Sequence, residues 1–176
     1  MTRKLIESTF VTLDGVISDP QIWGSPYWDQ QHADYASKLV ANADALLLGR
    51  VTYEGFAVAW PPRAGDSLAD KLNSMPKYVA SRSPQRGTWN ATIITGDIAS
   101  QVNDLKESDG EDILKYGTGE LDCTLIEHRL VDEFHFWVFP VIAGGGQRLL
   151  DHISTTHLEL LDTTRFDSGI VVNTYR

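Results

Sequence analysis

A single cysteine, Cys123, sets the first exclusions for this chain. It rules out an internal disulfide and any multi-cysteine zinc site, and its apolar helical context predicts a buried, inert thiol. Basic residues are also scarce: 15 Lys and Arg stand against 24 Asp and Glu, a net charge of −9. That deficit argues against a nucleic-acid partner held through a broad basic face. An anionic ligand would need a few locally placed Arg or Lys. Long hydrophobic runs are missing, and the opening Thr2-Arg3-Lys4-Leu5-Ile6-Glu7 has no apolar signal core, so a cytoplasmic protein without a membrane partner is expected. The five histidines, His32, His128, His135, His152 and His157, lack metal-ligand spacing, so no metal site is expected. His135 alternates with aromatics and reads as a packed or surface histidine. No Gly-x-Ser-x-Gly elbow and no nucleophile with a recognisable base occurs. Chemistry, if there is any, must come largely from a cofactor.

What is present is an ordinary globular composition, 42% hydrophobic over 176 residues, which suits one domain spanning 1–176. Lys4 to Thr12 is β-rich and reads as a first strand. Leu13 to Pro26 is a long loop rich in Gly, Pro, Ser and Asp, a length often associated with functional lids. Tyr27 to Asn42 predicts a helix with Trp28, Tyr35 and Leu39 along one side. Ala45 to Leu48 is an apolar run that suits a strand buried on both faces and ending at Gly49. Thr52 then suits the cap of a short helix carrying Tyr53 and Phe56. Ser67 to Asp70 fits a capping box ahead of Leu68, Leu72 and Met75.

Short strands follow at Lys77–Ala80, Ala91–Thr95 and Asp112–Tyr116, with helices through Ile98, Val102 and Leu105 and through Leu121, Leu125 and Ile126. Val131 to Pro140 alternates as a long aromatic strand. His157–Thr164 and Gly169–Tyr175 predict a final antiparallel pair turning near Asp167-Ser168-Gly169. Strand and helix alternate about four times before a strand-rich tail. The fold class is therefore α/β, three layers with a central, mostly parallel sheet, an antiparallel C-terminal edge and helices on both faces.

Three predicted strand ends carry small or polar residues: Gly49-Arg50-Val51-Thr52, Ser81-Arg82-Ser83 and Gly117-Thr118-Gly119-Glu120. If their strands are parallel neighbours, all three open on one crevice, where helix starts bind pyrophosphate. Arg50 and Arg82 would add charge-assisted contacts to a further phosphate, such as the 2′-phosphate that separates NADP from NAD. Taken singly, each motif is more often only a turn; together, in one register, the three favour a nucleotide site. Gly117-x-Gly119 is followed by Asp122 where a dinucleotide fingerprint has Gly, and it lies late in the chain, which excludes a Rossmann domain. Gly144-Gly145-Gly146 lacks a following Lys-Ser/Thr, so it is a bulge or tight turn, with close approach to a ligand left open. Asp29 suits the dipole of its helix. Asp34 suits either the crevice or a solvated helix face.

Across Ser8-Thr9-Phe10-Val11-Thr12-Leu13-Asp14-Gly15, Leu48-Gly49-Arg50-Val51-Thr52-Tyr53-Glu54, Lys77 to Arg82, Gly117 to Leu121, Leu130 to Phe134 and Pro140 to Gly146, the chain resembles the dihydrofolate reductase superfamily. It is most similar there to bacterial proteins grouped with the reductase domain of the bifunctional riboflavin-biosynthesis enzyme. The resemblance implies NADPH bound across the strand ends, with Gly49, Arg50, Val51 and Thr52 at its phosphates. Ser81 and Arg82 would lie near the adenosine end, and Gly117, Thr118, Gly119, Glu120 and Leu121 along the pyrophosphate and nicotinamide half. It further implies substrate contacts from Asp14 and Trp28, a mobile Leu13–Pro26 loop closing over the nicotinamide, and a homodimer. Asp34, near the position of the family's acid, or a water would protonate a small heterocyclic or carbonyl substrate. The absence of His-x-Glu and Pro-Cys-x-x-Cys excludes a deaminase function. Dihydrofolate reduction proper and a non-catalytic nucleotide-binding module are the alternatives.

Overall fold

The computed structural model describes residues 2–83, 86–151 and 153–176; Pro84 and His152 lie outside the described residues. Strand β1 (Leu5–Thr12) is followed by a one-turn helix α1 (Pro20–Trp23), a 3-10 turn at Ser25–Tyr27 and helix α2 (Gln30–Ala41). Next come β2 (Ala43–Gly49), α3 (Arg50–Ala59), α4 (Ser67–Ser74), β3 (Lys77–Ala80), β4 (Ala91–Ile94) and α5 (Ile98–Glu107). The chain closes through β5 (Asp112–Tyr116), α6 (Glu120–Glu127), β6 (Glu133–Phe139), β7 (Leu160–Arg165) and β8 (Val171–Tyr175).

All eight strands form one sheet in the order β4-β3-β2-β5-β1-β6-β8-β7. Pairings from β4 through β6 are parallel, and β8 runs antiparallel to both β6 and β7. This is the α/β architecture with an antiparallel edge that the sequence pattern predicts. Leu46, Leu47 and Leu48 are all fully buried, as a strand covered on both faces requires. Each such side chain contributes about 1.5–3 kcal/mol of burial. On one face, α2, α3 and α4 pack Val40, Tyr53 and Leu72 against Ile6, Leu46, Leu48 and Leu114. On the other, α5 and α6 pack Val102 and Leu125 against Leu5, Leu47 and Ile113. The aromatics of β6 bury in the core: Trp137 and Phe139 cluster with Phe166, Ile170 and Val172, and Phe10 and Tyr35 pack around them.

Local chemistry moves several predicted boundaries. Helix α2 starts after Asp29, whose carboxylate accepts from His32 N at 2.9 Å, so Trp28 precedes the helix. Helix α3 starts directly after β2, with Gly49 at its N-cap, so Thr52 is inside the first turn and caps nothing. Helix α4 is capped by Asp66, which accepts from Leu68 N and Ala69 N, one residue before the predicted Ser67. Cys123 is half-buried rather than buried. His135 is packed, its Nδ1 2.8 Å from the Tyr35 hydroxyl. No helix among the described residues is long and apolar enough to cross a membrane, and no cluster of metal-ligating side chains occurs among them.

Candidate cofactor site

β2 and β5 are parallel neighbours, yet α3 leaves the end of β2 onto one face while α6 leaves β5 onto the other. Their carboxyl ends therefore flank a switch point, where open α/β sheets bind ligands. The structure brings all three predicted strand ends together here. Gly49 pairs with Ala80, which places Ser81 and Arg82 beside the start of α3. Gly117 lies against Thr52: a Cβ on Gly117, whose φ is +71°, would sit 3.0 Å from Thr52 Oγ1. Arg82 Nη2 reaches across to Glu120 Oε2 at 2.6 Å, linking the end of β3 to the start of α6.

Two helix starts thus converge on the crevice. No side chain caps α3, so its first-turn N–H groups are available to an anion. Among the described residues the buried Thr118 Oγ1 has no hydrogen-bond partner. A Cβ added to Gly49 or Gly119 would meet nothing within 4 Å, so both helix starts border open space. Donors and space of this kind fit a phosphate-bearing ligand. Val51 is exposed and Leu121 packs into the core beneath α6, leaving backbone as their contribution to such a contact. Ser81 Oγ closes its own turn, accepting from Ser83 N at 3.2 Å.

Both arginines are already ion-paired. Arg50 Nη1 contacts both carboxylate oxygens of Glu54, at 2.9 and 3.1 Å. The Arg82–Glu120 pair is 86% and 81% exposed, and such pairs are worth about 0–1 kcal/mol, so a phosphate displaces them at little cost.

The other predicted site residues fall elsewhere. Asp34 lies on the exposed face of α2, its carboxylate accepting from Gln30 Nε2 at 2.7 Å. The face of α2 turned to the sheet carries Tyr35, Ala36, Leu39 and Val40, so Asp34 is not brought into the crevice. Asp14 Oδ1 accepts from Thr12 Oγ1 at 2.6 Å and Ala143 N at 3.0 Å, while Oδ2 accepts from Gly144 N at 2.8 Å. Those donors, Thr12 first, pull its pKa down to about 2. The carboxylate thereby organises the Gly144-Gly145-Gly146 segment.

The predicted mobile loop is strongly tied. Leu13 N bonds to Val141 O, Ile17 N to Gln147 O, and Leu149 N to Gly15 O, at 2.8–2.9 Å. The Arg148 guanidinium also donates to the Asp14 carbonyl. Residues 13–18 are stitched to 141–149, and the supposed structureless stretch contains α1 and a 3-10 turn. A shallow cleft of about 300 Å³ between these two segments includes Ile22, Trp23 and Ile142. It belongs to the β1/β6 end of the sheet and does not coincide with the convergence of helix starts.

Sequence reading missed His32. It lies in the first turn of α2, with ring centroids 5.4 Å from Phe10, 5.1 Å from Trp137 and 5.8 Å from Trp28, on which it stacks. Its Nε2 is buried without a partner among the described residues, and burial pulls its pKa below the usual histidine value. Trp28, 44% exposed, covers it from the solvent side. The i, i+4 spacing from Trp28 was the one available signal, but only the fold supplies Phe10 and Trp137.

The model of the RibD C-terminal domain matches residues 3–172. The chain belongs to the RibD C-terminal domain family. It is 32% identical to YyaP, an uncharacterized protein of Bacillus subtilis, over 98% of this chain and 94% of that protein. Its fold is similar to that of a putative riboflavin biosynthesis protein from Shewanella, with a TM-score of 0.78, 20% identity, and coverage of 99% and 98% of the two chains. It also matches a Thermotoga maritima deaminase and 5-amino-6-(5-phosphoribosylamino)uracil reductase, with a TM-score of 0.69, 15% identity, and coverage of 99% of this chain and 56% of that one. Dihydrofolate reductase from Enterococcus faecalis, solved with NADP(H), matches with a TM-score of 0.65 and 15% identity over 99% and 98%. These likenesses establish a dihydrofolate-reductase-like fold.

Proposed function

We propose that this protein is an NADPH-dependent reductase acting on a small heterocyclic, pterin- or pyrimidine-like, or carbonyl substrate. The observation that carries the reading is the convergence at one switch point of two helix starts, the unpartnered Thr118 hydroxyl and two arginines in weak, exposed pairs. The family and the NADP(H) held by the Enterococcus faecalis enzyme support the same choice of cofactor.

In this reading, the first-turn N–H groups of α3 and the Gly117–Gly119 turn hold the cofactor phosphates. Arg50 exchanges Glu54 for the 2′-phosphate, and Ser81 and Arg82 flank the adenosine. When bound, the nicotinamide supplies a hydride to the substrate. The tied 13–18 and 141–149 segments fix one wall of the reaction site, Trp28 covers another, and both keep water away from the reacting atoms. The outward position of Asp34 supports a water as proton source over this carboxylate, and it counts against dihydrofolate reduction proper. The exposed Leu160 and Leu161 on edge strand β7 suit the homodimer contact that belongs to the same proposal, checked by light scattering.

Fluorescence titration tests the reading directly: NADPH binds in the micromolar range and NADH more weakly. Absence of binding at high micromolar NADPH would sink the proposal. Arg50→Ala weakens NADPH about 10-fold or more, the loss of a hydrogen bond to a charged group, and leaves NADH nearly unchanged. Equal losses for the two cofactors refute the assigned role of Arg50. Cofactor binding without oxidation across pterins, ribosylaminopyrimidines and carbonyls would identify a non-catalytic nucleotide-binding module instead.

A further inference from the structure

Three ionisable side chains are sealed directly beneath the Gly117–Gly119 turn. Glu7 and Asp122 are 0% exposed and Lys115 is 1% exposed. Glu7 and Lys115 are register partners on β1 and β5, and Asp122 is the third residue of α6. Lys115 Nζ lies 2.7 Å from Asp122 Oδ1, an ion pair without hydrogen-bond alignment, and 3.7 Å from Glu7 Oε2. Burial pushes Glu7 well above the usual carboxylate range; Lys115 opposes that shift and Asp122 adds to it. Burial would depress Lys115, but Glu7 and Asp122 outweigh it and hold the ammonium charged.

Such a cluster is a poor device for stability. Desolvating three ionisable groups is costly, and a well-packed apolar replacement is often neutral or stabilising. What the cluster holds is the turn. Lys115 Nζ donates to Gly117 O, and Asp122 Oδ2 accepts from Gly119 N at 2.6 Å. In a trans peptide the C=O and the following N–H point in opposite directions. Drawing Gly117 O down to Lys115 therefore turns Thr118 N–H away from the sheet interior. That N–H has no backbone or side-chain acceptor among the described residues, and the neighbouring Thr118 Oγ1 has none either. Anchoring Gly119 N–H on Asp122 prevents the next peptide from rotating back.

We propose that Lys115, braced by Glu7 and Asp122, is a positioning residue for the cofactor pyrophosphate: it aims the Thr118 N–H at the ligand without touching it. The inference rests on the NADPH reading above. Its test compares NADPH with adenosine 2′-monophosphate, which carries the 2′-phosphate but no pyrophosphate, by titration monitored by fluorescence and NMR. Lys115→Met weakens NADPH about 10- to 100-fold, the loss of one hydrogen bond to a charged group, and changes adenosine 2′-monophosphate less than about twofold. Because Lys115→Met strands two buried carboxylates, the triple variant Glu7→Gln, Lys115→Met, Asp122→Asn is measured beside it. With no charge left unpaired it folds, and it shows the same selective loss. Unchanged NADPH affinity in the folded triple variant overturns the proposal, as does an equal loss for both ligands, which marks a general structural role. Wild-type protein that binds neither ligand refutes the reductase reading itself and this inference with it.

Discussion

Gly117→Ala is the substitution whose cost is most directly worked from the geometry. Gly117 has φ +71°, in the left-handed region, and the new Cβ would lie 3.0 Å from Thr52 Oγ1. The backbone component costs about 1–2 kcal/mol for any L residue. The steric component is smaller, because a few tenths of an ångström of give in the Thr52 rotamer relieves the contact; an off-rotamer χ costs about 0.5–1.5 kcal/mol. Gly117→Ala should therefore lower stability by about 1.5–3.5 kcal/mol on these scales. Thr52→Ala removes the opposing oxygen, so the double variant should recover the steric part and leave the backbone part in place. Urea denaturation of the four proteins closes the cycle, with an expected coupling of about 0.5–1.5 kcal/mol. A Gly117→Ala protein as stable as wild type would refute the left-handed turn. Additivity of the two substitutions would refute the contact between α3 and the β5 turn, and with it the convergence on which the site is built.

Two further outcomes concern charge. Asp14, its pKa drawn down to about 2 by Thr12, Ala143 and Gly144, contributes stability that is complete above the ordinary value of 3.8 and lost as pH falls toward 2. Asp14→Asn should flatten that acid limb in thermal melts and expose residues 13–18 and 141–149 to limited proteolysis; an unchanged limb refutes the assignment. Lys77 is buried against the Trp89 ring, 3.9 Å from its centroid, and burial depresses its pKa to about 8. Between about 8 and 10.5 the unfolded chain binds the proton more than the folded one, so stability should rise with pH across that window. Lys77→Met should remove the rise and stabilise the protein at neutral pH; a persistent rise would place its origin elsewhere.

Much of the architecture was legible because it depends on period and punctuation. Through local sterics alone, the all-apolar Ala45–Leu48 run announces a strand buried on both faces, and the β-branched Ala91–Thr95 a strand that proves to be a half-exposed edge. The glycines at the ends of β2 and β5 mark where strands stop in the same way. Helix starts were less legible. Asp66 rather than Ser67 caps α4, because neighbouring polar residues compete for the same backbone donors. Helix α3 begins straight after Gly49 with no side-chain cap, because the chain turns into helix at the very end of β2. The Leu13–Pro26 segment looked free because its partners, residues 141–149, lie more than a hundred positions away.

The sequence by itself determined that the sheet would be mostly parallel, that its histidines and cysteine carry no metal-ligand spacing, and that small or polar residues would sit at three strand ends. Those properties follow from spacing along the chain. Tertiary structure decided which side chains share a volume. It turned Asp34 outward to Gln30, gave Asp14 to the 141–149 segment, boxed His32 among Phe10, Trp28 and Trp137, and sealed Lys115 between Glu7 and Asp122. The Asp14 and His32 contacts depend on β6 lying along one side of β1. The last of these outcomes depends on the strand order on the other side, with β5 inserted between β1 and β2. That insertion is a long-range pairing, and no local pattern of residues specifies it.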